Sequence, residues 1–286
     1  MRMVDDRGLN QLRKAYVSRL IPGVGLACLL MSTCLLRGDD TSSVFGQESK
    51  SEAALVGVLY DLKQTQDHAA TSVDASSYSK VVQEFLVKNW DEAVLNRYYR
   101  VSKPLYTTQI FIPNMEAGLA PKAFGAEKTV KPSRWIIHYK AQVSAPTEGT
   151  YRFWGCADDA MAVAVNGKTN LVACRPDMAV AMTDITWKST EKPGAQAADD
   201  FLIAGDWFEM KQGDIIDLDV IIGERPGGLF NAFLMIQKKG ETYQNDPAGH
   251  PIFPIFQVAA YDTPVQESLT IQPKFATGFA PWKSYQ

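Results

Sequence analysis

Two neighbouring carboxylates, Asp158 and Asp159, are the side chains in this 286-residue sequence best placed to do chemistry. They stand in the stretch 149–167, GTYRFWGCADDAMAVAVNG, between two apolar runs. In a regular strand, successive side chains point to opposite faces. Adjacent carboxylates therefore reach a common ligand only if the backbone turns there or their peptide is cis. Otherwise the pair is a feature of the fold, one aspartate bonding loop amides and the other facing water.

Other reactive constellations are thin. The three histidines, His68, His138 and His250, are scattered and make no zinc pattern. There is no Gly-rich phosphate loop, GxSxG or HExxH motif. The ERPGG run at 224–228 joins two apolar segments and reads as a turn, not a nucleotide cradle. Glycoside hydrolysis needs two carboxyls about 5–10 Å apart across a cleft. Adjacent aspartates do not supply that by themselves, so the reading is non-catalytic.

Four cysteines are present. Cys28 and Cys34 lie in an N-terminal apolar run, leaving Cys156 and Cys174 in the remainder. Two cysteines in an exported protein suggest one disulfide, and two separate buried thiols are the alternative.

The elements that must position these residues follow a signal-like start. Arg13, Lys14 and Arg19 precede an uncharged run at 20–36, the pattern of a secretion signal. That run is short for a membrane span, which needs about 20 apolar residues, and it contains Pro22, Gly23 and Gly25. Residues 1–38 read as the signal segment and 39–51 as a polar linker, which predicts a secreted or periplasmic protein. An uncleaved N-terminal anchor is the alternative. Removing 1–38 leaves 23 basic and 30 acidic residues, a formal charge of -7 against -3 for the whole chain. Such a surface has no electrostatic footprint for nucleic acid and no polybasic patch for an anionic membrane.

From residue 52 the chain is strand-rich. Residues 52–63 form an apolar, β-prone run. Residues 78–90 (YSKVVQEFLVKNW) change period, with Val81, Val82, Phe85, Leu86 and Trp90 near one helical face and Ser76 or Ser77 available as cap. A strand at 107–112 is expected to end at Pro113, followed by a long loop over 114–132. Residues 135–143 alternate, which puts Trp135, Ile137 and Tyr139 inward and His138 on a solvated face. Residues 161–165 place Met161, Val163 and Val165 inward and two alanines outward. Asn166-Gly167 is a strong hairpin signal. Strands are further expected at 170–174, 178–187, 215–223 and 229–237. Many short strands between turn signals predict a sandwich or barrel. Pro251, Pro254, Pro264 and Pro273 punctuate an extended tail over 241–286, which either wraps the domain or leads to an envelope protein partner.

The 149–167 stretch resembles the protective-antigen-fourteen (PA-14) domain family through Gly149, Tyr151, Phe153, the Asp158-Asp159 pair, Val163, Val165, Asn166 and Gly167. Residues 210–214, 215–224 and 227–236 resemble the family's later turn and its two closing strands. Ala160 stands where the family usually has Gly. The resemblance implies a mainly β protein, an antiparallel PA-14-like β-sandwich over 52–240, with one amphipathic helix inserted near its N-terminal end. It implies a carbohydrate-binding module whose partner is a glycan or cell-surface polysaccharide. In sugar-binding members such a pair holds Ca²⁺. By that analogy Asp158, Asp159 and Asn231 would be metal and glycan ligands here. Sugar rings stack on aromatics, and Trp187 and Trp207, which border loops, are the further glycan candidates. A structural or protein-interaction module is the alternative reading.

Overall fold

The structure is a computed structural model that describes residues 43–260 and 273–285. The proposed signal segment, with Cys28 and Cys34, therefore lies outside the described residues. Fifteen strands and four short helices follow one another there. In chain order they begin with β1 (Leu55–Asp61), α1 (Tyr78–Val87), α2 (Glu92–Leu95), β2 (Tyr99–Arg100), β3 (Leu105–Thr107) and β4 (Phe111–Glu116). Next come α3 (Leu119–Ala123), β5 (Trp135–Ser144), β6 (Gly149–Asp158), β7 (Ala160–Val165), β8 (Lys168–Val172) and α4 (Pro176–Ala181). The remainder are β9 (Gln196–Ala197), β10 (Asp200–Phe201), β11 (Ile203–Ala204), β12 (Phe208–Met210), β13 (Ile216–Glu224), β14 (Leu229–Lys238) and β15 (Lys283–Tyr285).

Two antiparallel sheets face each other as a sandwich. One has the order β2-β1-β5-β13-β7-β8, with β3 and β15 pairing β1 and β5. The other has the order β11-β6-β14-β4, with β12 pairing β6. Alternation supplies the core between them. Leu59, Ile137, Tyr139, Val163, Val220 and Ile222 come from the larger sheet. Phe153, Ala157, Phe230, Leu234 and Ile236 come from the smaller.

Both outer faces are covered too, and this overturns several expectations from alternation. Helix α1 lays Val82 and Phe85 on the larger sheet, so Ala160, Ala162, Ala164 and Ile221 are buried as well. His138 is 2% exposed rather than solvated. It packs edge-on against Phe85 at 5.4 Å, and its Nε2 bonds Asp219 Oδ1 at 2.7 Å. Tyr78 anchors the helix by donating its hydroxyl to the Trp135 carbonyl at 3.0 Å. A Cβ at Gly223 would collide with that hydroxyl, so the small residue is what lets the helix dock. On the smaller sheet, Trp154, Cys156, Phe233 and Met235 are covered by the 195–204 segment and by Phe253 and Ile255 of the tail. The tail also contributes Phe256 and Trp282 to the central core.

Other local differences have simple causes. Asp74 caps α1, its Oδ1 accepting from the amides of Ser76 and Ser77, whereas Ser77 makes no side-chain cap. β4 runs through Pro113, because it is the edge strand of its sheet, where a missing N–H costs little. The expected loop over 114–132 contains α3, and the expected strand at 178–187 is instead the end of α4 and irregular chain. Pro176 at the first turn, with no bonding partner strand, favours that helix. Asn166 and Gly167 make the β7–β8 turn with φ of 51° and 72°, the left-handed values such a hairpin requires.

Cys156 and Cys174 are free thiols, so the disulfide expectation is corrected. Cys156 packs with the cluster on the outer face of the smaller sheet, and Cys174 against the cluster under α1. The two side chains therefore belong to different layers.

Candidate functional site

The central feature is the junction between the sheets. β6 belongs to the smaller sheet and β7 to the larger, and the chain crosses between them at Asp158-Asp159. The peptide joining these two residues is cis. Both side chains line a single cleft of about 450 Å³, together with Arg175, Glu224, Arg225 and Gly227.

Backbone hydrogen bonds fix the pair. The Asp159 amide donates to the Gly223 carbonyl at 3.1 Å, and the Arg175 amide donates to the Asp159 carbonyl at 2.9 Å. Across the sheet, Asn231 on β14 stands in register with Asp158. A strand irregularity between Phe230 and Ala232 marks that point of β14. Asn231 is 3% exposed, and its Oδ1 is buried with no hydrogen-bond donor.

Guanidinium groups neutralise the carboxylates. Asp159 Oδ2 accepts from the Arg225 amide at 2.8 Å, and Oδ1 from the Arg225 guanidinium at 3.2 Å. Arg225 also pairs with Asp177 at 2.8 Å, which holds the Asp177 carboxyl below its ordinary pKa. Arg175 reaches Asp158 Oδ1 at 3.1 Å from a more exposed position on the rim. Burial pushes the Asp159 pKa up, and Arg225 opposes that shift.

Glu224 completes the cleft. Its Oε1 accepts from the Gly227 amide at 2.7 Å, while its Oε2 is buried without a donor. Burial first, and then the charges of Asp159 and Asp158, push its pKa up to about 8. The carboxyl is therefore largely protonated at neutral pH.

The sequence-expected residues divide into two groups. Asp158 and Asp159 line one cleft, whereas Asn231 stands in register with Asp158 across the sheet without lining it. Trp187 and Trp207 do not line the cleft. Trp187 lines a separate groove beside α4 and donates Nε1 to Asp206 Oδ2 at 3.0 Å. Trp207 lies 4.2 Å from the Arg152 guanidinium, ring to cation. Sequence reasoning passed over Glu224, Arg225, Arg175 and Asp177. The one available signal was charge concentrated at a turn between apolar strands, in the ERPGG run.

The donor set suits a hard cation. Two carboxylates and an amide oxygen are the ligand types Ca²⁺ takes; the Asn231 oxygen is buried without a donor, and its residue does not line the cleft. Among the described residues no three His, Cys, Asp or Glu side chains form a metal cluster. An ion here would draw on Asp158, Asp159 and Asn231, with backbone or ligand oxygens completing its shell.

Comparison with known proteins gives structural likeness only. No family model matches this chain, and no curated protein matches it. The chain is similar to PA14 domains of known structure. A PA14 sugar-binding domain from an RTX adhesin is 14% identical, with a TM-score of 0.41 over 72% of this chain and 95% of that one. The PA14 domain of an antifreeze protein is 14% identical, with a TM-score of 0.39 over 68% and 87%. The epithelial adhesin 6 A domain from Candida glabrata, in complex with Galβ1-3GlcNAc, is 12% identical, with a TM-score of 0.40 over 75% and 95%.

Proposed function

We propose that this chain is an exported, non-catalytic carbohydrate-binding module, with the cleft at Asp158 and Asp159 as its ligand site and Ca²⁺ held there by Asp158, Asp159 and Asn231. The observation that carries the reading is the buried, donorless Oδ1 of Asn231 directly across from a carboxylate pair that shares one cleft. Such an acceptor costs about 1–3 kcal/mol if left unpaired. A cation would offset that cost, in competition with the guanidinium groups that already pair the carboxylates.

The protein residues have separable roles. Asp158 and Asp159 supply charged oxygens and accept hydrogen bonds from ligand hydroxyls. Asn231 would add a neutral amide oxygen. Arg225, tied to Asp159 and Asp177, keeps Asp159 oriented. Arg175, on the rim, is the group that yields Asp158 to an ion. When bound, Ca²⁺ supplies a Lewis-acidic contact for neighbouring sugar hydroxyls.

A glycan array tests the reading. Binding is expected in millimolar calcium, and loss is expected in chelator and in Asp158→Ala. Signal that survives both would overturn it and favour an interaction module.

A further inference from the structure

The cleft residues Glu224, Arg225 and Gly227 belong to the turn that joins β13 to β14, and that turn is held from outside the cleft. Asp61 on β1, Trp135 on β5 and Glu224 on β13 form one rung of the larger sheet. Beyond that rung the three strands continue as neighbouring segments: 62–64, 131–134 and 225–228.

Lys63 ties the first segment to the second. Its Nζ donates to the Ser133 carbonyl, meets Asp61 Oδ1 at 2.5 Å and reaches the Lys131 carbonyl at 3.4 Å. An ammonium carries three N–H donors, so one side chain serves three acceptors. Asp61 is itself fixed, fully buried with Oδ2 accepting from Gln64 Nε2 at 2.7 Å. The Lys63 side chain is only 14% exposed, and lysine is rarely placed so deep. Burial pushes its pKa down, and Asp61 opposes that shift. A buried ion pair is by itself weak evidence for stability. What this one fixes is the place of 131–134.

The second segment carries the third. The Arg134 amide donates to the Arg225 carbonyl at 3.2 Å. Gly227 lies against the Pro132 carbonyl, so closely that an added Cβ would come within 3.1 Å of that oxygen. On its other side the turn holds Asp159, through the Arg225 amide at 2.8 Å and the Arg225 guanidinium at 3.2 Å. The contacts thus run from Lys63 through Ser133 and Arg134 to Arg225 and Asp159.

We infer that Lys63, which does not line the cleft, is the positioning residue of the β13–β14 turn and, through Arg225, of the Asp159 carboxylate. That this serves ligand binding rests on the function proposed above; the positioning itself does not.

The test is amide hydrogen exchange on the full chain in chelator, comparing wild type with Lys63→Met, which keeps the stem and removes the ammonium. The Arg225 and Gly227 amides should exchange at least tenfold faster. The Asn166 amide, bonded to Asp217 at the opposite end of β13, should keep its rate. A lysine that merely stabilised the fold would speed amides that exchange through global unfolding and leave the local opening of this turn unchanged. The double variant Asp61→Asn, Lys63→Met leaves no buried charge unpaired and carries the same expectation if Lys63→Met does not fold. Unchanged rates at Arg225 and Gly227, or a matching rise at Asn166, would overturn the inference. Calorimetry with calcium separates it from the function above. The Kd should rise at least threefold in the variant, and an unchanged Kd beside faster exchange would overturn the step from the turn to Asp159. Absence of calcium binding to wild type would overturn the proposed site, while the exchange rates still decide the role of Lys63.

Discussion

Asn231 stands directly across the sheet from Asp158, with its amide oxygen buried and without a donor. A strand residue that needed only to fill space there could be apolar. In the proposed calcium site the polar oxygen would extend the donor set begun by the two carboxylates. Arg175 completes the neutral arrangement by bonding Asp158 from the rim.

That pairing makes a directional prediction. A cation approaching Asp158 must displace the Arg175 guanidinium and is repelled by it. Arg175→Ala should therefore tighten calcium binding several-fold, read as a lower Kd by calorimetry. Weaker binding in this variant would show that Arg175 supports the site rather than competing for it.

Glu224 makes the stability of the fold depend on pH. Its folded pKa, about 8, lies above the ordinary carboxyl value, so the folded state holds a proton that the unfolded chain gives up near pH 4–5. Stability from this group is fully present below the unfolded pKa. It is lost as pH rises through the window from about 4.5 to 8. In chelator, Glu224→Gln should match wild type in Tm at pH 4.5 and exceed it by at least about 2 °C at pH 9, using the usual 2–4 °C per kcal/mol for this size. An unchanged difference across the range would contradict the assignment.

Cys156 is a buried thiol, and Cys174 a half-buried one that lines the groove beside α4. Burial pushes the Cys156 thiol well up and the Cys174 thiol up to about 12. In the folded state at pH 8 Cys156 should be protected by burial and Cys174 should react slowly because its thiol stays protonated, and both should react fully after denaturation without reductant. Absence of free thiol in the denatured protein would instead show a disulfide.

Much of this fold is legible in the sequence because alternation marks the central strands and Asn166-Gly167 marks a hairpin. The inward set Ile137, Tyr139, Val163 and Val220 can be read directly. His138, Ala162 and Ala164 cannot, because period-two alternation carries no information about whether a helix covers the outer face. The α1 pattern was visible, but its docking on His138 and Ala162 is a long-range contact. Asp74 is a capping residue three positions before Ser77, beyond the nearest polar candidates. Likewise the acidic pair and Asn231 could be named from the chain. Glu224, Arg225 and Arg175 join them only through the crossing of β6 into β7 and the β13–β14 turn, which no local pattern encodes.

The covering helix is open to a packing test. Phe85 is fully buried between α1 and the sheet, against Trp90 and His138. Phe85→Ala should cost about 3–5 kcal/mol and lower Tm by roughly 10 °C. A loss below about 1 kcal/mol, the scale of surface substitutions, would mean that α1 does not pack as described.

The most direct test of the central claim, that Asp158, Asp159 and Asn231 act together as one ligand site, is a calorimetric titration of calcium into chelator-treated protein. Extracellular calcium modules bind with Kd on the order of 10⁻⁴–10⁻³ M. A saturable heat in that range is expected, lost in Asp158→Ala and Asp159→Ala and weakened at least tenfold in Asn231→Leu. No heat at millimolar calcium, or a heat unchanged by all three substitutions, would contradict the claim.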